Sequence, residues 1–75
     1  MTLDQLKEGK KAVVTVVGGQ GLTRKRLLEM GLTPKTHVTM VKRAPLGDPL
    51  EIELRGYHLT LRLADAARIT VEAEQ

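Results

Sequence analysis

The chain contains no cysteine, serine, asparagine, phenylalanine or tryptophan, and its single aromatic residue is Tyr57. Without cysteine there are no disulfide staples and no thiolate metal ligands. Without Cys or Ser the usual nucleophiles of acyl transfer are missing. One aromatic is too few for a stacking platform that binds nucleic acid, or for an aromatic-lined groove that captures proline-rich peptides. No apolar run approaches the ~18 residues that a membrane-spanning helix needs. Met1-Thr2-Leu3-Asp4 opens without a basic segment and apolar block, so no signal peptide is expected. These absences together point to the cytoplasm.

What is present suits one small folded domain, expected to span residues 1–75. A hydrophobic fraction of 41% and a charged fraction of 28% are ordinary for a globular protein. A chain this short buries only a small core. The net charge of +3 and a sequence pI near 9.6 suit an acidic partner, an anionic membrane surface or nucleic acid, and select none of them.

Thr2-Leu3-Asp4-Gln5 matches a helix-start box, with Gln three positions after a Thr cap, and predicts about one helical turn. Lys10 to Val17 is rich in β-branched residues and predicts a first strand; its weak alternation suggests cover on both faces. Leu22 to Met30 reads as a short helix stopped by Gly31 and followed by Pro34, with Leu27, Met30 and Leu28 turned to the core. Thr36 to Arg43 predicts a second strand.

The stretch Arg43-Ala44-Pro45-Leu46-Gly47-Asp48-Pro49-Leu50 then forms a rigid connection, because proline fixes φ and glycine permits positive φ. It leaves Leu46 in the loop. Leu50 to Arg55 and His58 to Leu63 alternate strictly, and Gly56-Tyr57 between them suits a type II′ hairpin. That turn predicts the pairs Glu51–Arg62, Glu53–Thr60 and Arg55–His58 outside. Inside it predicts Leu50–Leu63, Ile52–Leu61 and Leu54–Leu59. Ala64 to Ala67 reads as a helical turn. Ile69 to Ala73 reads as a last strand with Ile69, Val71 and Ala73 inward, and Glu74 and Gln75 are expected to fray. Five short strands with one helix inserted after the first predict a mainly β fold, a small five-stranded β-barrel.

Four features invite a functional reading. Arg24-Lys25-Arg26 occupies the helix's first turn, where positive charge opposes the macrodipole. The run is either a solvated basic face or a partner contact. Gly18-Gly19-Gln20-Gly21 before a helix resembles a phosphate cradle but lacks the Lys-Ser/Thr of a P-loop, so a flexible connector is the simpler reading. His37, His58 and Asp48 are metal-ligand candidates without a recognisable ligand spacing, and surface residues are the simpler reading here too. No motif for a bound cofactor appears, and no nucleophile and base are paired.

Three blocks carry a resemblance. Arg26-Leu27-Leu28-Glu29-Met30-Gly31-Leu32-Thr33-Pro34, Ala44-Pro45-Leu46-Gly47-Asp48-Pro49 and Leu59-Thr60-Leu61-Arg62-Leu63-Ala64-Asp65-Ala66 look like the FeoA family, across nearly the whole chain. The domain type also resembles the C-terminal domain of iron-dependent repressors. Where the FeoA family usually has Gly after Pro34, this chain has Lys35.

The resemblance implies an SH3-like barrel with an inserted helix. It also implies a non-enzymatic accessory or regulatory role in Fe(II) import, with the cytoplasmic part of the FeoB transporter as partner. On this reading the contacts are Arg24, Lys25, Arg26, Met30, Arg43 and Leu46, with no nucleic acid and at most a peripheral relation to the membrane. The alternatives are a metal-responsive or regulator-binding SH3-like domain, and a nucleic-acid-binding small barrel.

Overall fold

In a computed structural model that describes residues 1–74, five antiparallel strands form one sheet in the order β4-β3-β2-β1-β5. They are β1 (Lys11–Val17), β2 (His37–Arg43), β3 (Leu50–Leu54), β4 (Tyr57–Leu61) and β5 (Ile69–Ala73). A 3₁₀ turn, Leu3–Gln5, precedes β1; helix α1 (Gly21–Glu29) follows it, and the short helix α2 (Leu63–Ala66) joins β4 to β5. The mainly β, SH3-like order with a helix after the first strand is as expected.

Closure into a barrel is not. β4 and β5 are the two edges of an open sheet and do not pair with each other. The chain beyond β4 turns into α2 rather than extending the ladder. The outer side of β5 is taken by the N-terminus, where Thr2 bridges Thr70 and the Val71 N–H donates to the Met1 carbonyl at 2.8 Å.

Leu3, Val14, Leu27, Leu32, Met40, Ile52, Leu61 and Ile69 are among the side chains sealed in the core. β1 does not bury both faces. Ala12, Val14 and Val17 point in, whereas Val16 is exposed, because the register with β5 shifts between Val14 and Val16. An extra residue in one strand turns the next side chain to the other face. Gln5 Oε1 accepts the Thr2 N–H at 2.9 Å, so the helix-start box forms around a 3₁₀ turn. Glu74 is held, its N–H donating to the Lys11 carbonyl at 2.9 Å, and Ala73 is exposed. Gln75 lies outside the described residues.

The β3–β4 hairpin differs from expectation by two residues. Its pairs are Leu50–Leu61, Glu51–Thr60, Ile52–Leu59, Glu53–His58 and Leu54–Tyr57. The turn is Arg55-Gly56, with φ of 51° and 83°, so both central residues are left-handed as in a type I′ turn. A shift of two keeps each strand's inward face inward, which is why Leu50, Ile52 and Leu54 are buried as predicted. It releases Leu63 from the sheet to begin α2, where it is partly exposed.

Lys35 sits at φ 75°, in the left-handed region. Its N–H donates to the Val14 carbonyl at 2.7 Å, tying the connection after α1 to β1. A glycine would hold this conformation without the Cβ clash.

Candidate interaction surface

Helix α1 is anchored by Leu27, which is fully buried, with Leu28 and Met30 packed at the core's margin. Leu22 lies five positions before Leu27, about 140° around a helix with 3.6 residues per turn. It is therefore turned away from the core and is 82% exposed. No motif marks Leu22 in the sequence, and its phase against Leu27 is the signal that places it outward.

The basic run does not form one solvated patch. Arg24 Nε donates to the Val17 carbonyl at 3.2 Å, clasping the end of β1. Lys25 Nζ lies 3.9 Å from Glu29 one turn on, an exposed pair. Arg26 Nη2 reaches Asp65 Oδ2 on α2 at 3.6 Å. Asp65 is buried and also lies 3.4 Å from Arg62 Nε. A carboxylate taken from water needs such cationic partners, and the Arg26 contact joins α1 to α2.

Met30 is half-buried, and its carbonyl accepts the Tyr57 hydroxyl, which fixes the end of α1 to the start of β4. Arg43 turns inward. Its Nη2 donates to the carbonyls of Leu6, at 2.8 Å, and Asp4, so it clamps the N-terminal turn to β2. Its own N–H donates to Glu8 Oε2 at 2.8 Å.

Leu46 stands at the tip of its loop with 96% of its surface exposed. The loop beneath is tightly bonded: the Gly47 N–H donates to the Ala44 carbonyl at 2.7 Å, and that of Ala44 to the Pro49 carbonyl at 3.0 Å. Asp48 Oδ1 accepts the Leu63 N–H at 2.9 Å, securing the start of α2 to the loop. Asp48 thus has a structural task.

The glycine run before α1 also has a structural account. A Cβ on Gly18 would meet the Arg68 carbonyl oxygen at 2.7 Å, and the Gly18 N–H donates to that oxygen at 2.7 Å. Only glycine permits this approach.

The histidines lie apart. His37 pairs with Glu74, and His58 Nδ1 lies 2.6 Å from Glu51 Oε2 with its Nε2 3.8 Å from Glu53. Among the described residues no three His, Asp or Glu side chains converge on a metal position. The Glu51 carboxyl is held below its ordinary range by the His58 hydrogen bond, and further by Lys42, whose Nζ is 3.8 Å away. These carboxylate partners were not foreseen, since each depends on strand register.

The chain resembles proteins named for ferrous-iron transport. It is 44% identical over 72 residues to the "Fe(2+) transport protein A/Fe(2+) transporter FeoB fusion protein" of Porphyromonas gingivalis; the match covers 96% of this chain but 8% of that much longer protein. The solution structure of the FeoA protein from Chlorobium tepidum superposes with a TM-score of 0.92 at 39% identity, covering 100% of this chain and 71% of that one. A FeoA-like protein from Clostridium acetobutylicum gives a TM-score of 0.92 at 31% identity, over 100% and 87% of the two chains. The FeoA domain model matches residues 1–73, and with the fold and the three sequence blocks in agreement, the chain belongs to the FeoA domain family.

Proposed function

We propose that this protein is a non-enzymatic accessory component of ferrous-iron uptake that docks on the cytoplasmic part of a FeoB-type transporter. The observation that carries this reading is the Porphyromonas gingivalis relative, whose name places transport protein A and the FeoB transporter in one polypeptide. Fusion holds two modules at high effective concentration, which is useful when they work together.

The surface suits binding rather than chemistry. Leu46 and Leu22 project from a hydrogen-bonded loop and a helix, so burying them against a partner costs little loop entropy. Lys25, three positions after Leu22 on the same face of α1, supplies a positive rim. Arg26, Met30 and Arg43 support the contact residues through their bonds to α2, β4 and the N-terminal turn.

The test is a pull-down and titration against the transporter's cytoplasmic domain, with and without guanine nucleotide. Leu46→Ala removes side-chain surface that touches little else in the fold. It is expected to leave the melting temperature unchanged. Full burial of a leucine is worth ~1.5–3 kcal/mol, most of which alanine forfeits, so binding should weaken roughly tenfold or more. Wild-type protein that fails to bind under either condition removes the docking reading.

A further inference from the structure

The two edges of the sheet are treated differently. The outer edge of β5 is covered by Met1 and Thr2. Among the described residues β4 pairs only with β3, and its other edge meets no strand. In a two-residue hairpin the residues flanking the turn form a hydrogen-bonded pair, and such pairs alternate along the ladder. With Leu54–Tyr57 flanking the turn, Tyr57, Leu59 and Leu61 bond to β3, while the N–H and C=O of His58 and Thr60 face outward. Among the described residues nothing bonds to those backbone groups, and both residues are exposed. β4 also lacks the usual edge protections: it holds no proline, no lysine and no bulge.

This edge lies between the two features already implicated in docking. At one end the Tyr57 hydroxyl bonds to the Met30 carbonyl at the end of α1. Just past the other end, Leu63 bonds to Asp48 in the Leu46 loop.

We infer that β4 accepts an added strand from the docking partner, an extended segment in which an apolar residue sits between two polar ones, at least one of them basic. The pattern follows from the two faces. The residue opposite Leu59 lies on the inner face and covers this half-buried leucine. Residues opposite His58 and Thr60 lie on the outer face, beside Glu51 and Glu53. Glu53 is 48% exposed along its side chain, and among the described residues His58, 3.8 Å away, is the one cation that pairs with it. A long basic side chain on the incoming strand reaches it across His58. Main-chain hydrogen bonds supply the affinity in this mode, and the alternating side chains supply the choice of partner.

The inference rests on the proposed docking, so the experiment separates the two. Amide hydrogen exchange is read residue by residue, for the protein alone at two concentrations and with the transporter's cytoplasmic domain. Added strand pairing slows the His58 and Thr60 amides at least tenfold in the complex, with no slowing in the protein alone. Glu53→Lys weakens the complex severalfold and leaves the fold unchanged. Thr60→Pro removes an outward N–H without touching the β3 ladder and weakens binding. If that variant misfolds, the exchange pattern of the wild type decides.

A complex that forms while both amides still exchange freely overturns strand addition and leaves docking standing. No complex at all removes both. Protection that appears with rising concentration of this protein alone assigns the edge to a second copy and overturns the proposed occupant.

Discussion

Removing the Arg43 side chain is expected to destabilise the fold. Beside the loop it reads as a cation offered to a partner. In the fold its Nη2 donates to the Leu6 carbonyl at 2.8 Å and also to the Asp4 carbonyl, holding the N-terminal turn against β2. A hydrogen bond to a charged group contributes ~1.5–3 kcal/mol. These carbonyls are partly accessible, and water replaces some of what is lost. Arg43→Ala should therefore cost about 2 kcal/mol in total, from the low end of that range for two bonds sharing one nitrogen.

For a domain of this size each kcal/mol moves the melting temperature by ~4–8 °C, so a fall of about 8–16 °C is expected by circular dichroism or calorimetry. Arg43→Lys should recover only part of this, because an ammonium lacks the planar fork. Faster exchange at the amides of the N-terminal turn should accompany the loss. An unchanged melting temperature with weakened partner binding would refute the reasoning and return Arg43 to the contact surface.

Two further predictions follow from backbone and charge. Lys35→Gly relieves a left-handed residue at φ 75°, worth ~1–2 kcal/mol, while glycine's freedom in the unfolded chain takes back ~0.5–1 kcal/mol. The melting temperature should rise by up to about 12 °C, and a fall would show that the lysine side chain is needed there. Glu51 has a lowered pKa in the fold, so its ionised form adds stability above about pH 4.5, and this is lost as pH falls through the folded value. The stability difference between wild type and Glu51→Gln should therefore shrink below about pH 4.5, and a difference independent of pH would refute the role of the carboxylate.

Local chemistry alone determined the elements and most of their inward faces. Gly31 stops α1, the rigid loop separates β2 from β3, and Leu50, Ile52 and Leu54 turn inward because side chains alternate along a strand. The three family blocks were legible for the same reason, as short runs of specified residues. The hairpin register was not, since Arg55 entering a left-handed turn is selected by tertiary contacts: its Nη2 donates to the hydroxyls of Thr33 and Thr36 at 3.0 and 3.1 Å.

Nor could sequence show where each cation points. Arg24, Arg26 and Arg43 are alike in composition, yet one clasps β1, one neutralises a buried Asp65 and one clamps the N-terminal turn. The open edge of β4 is likewise a property of the assembled sheet. Strand pairing is non-local, so which edge is covered depends on where the N-terminus lands, and only the tertiary structure decided that it covers β5 and, among the described residues, leaves β4 unpaired on its outer side.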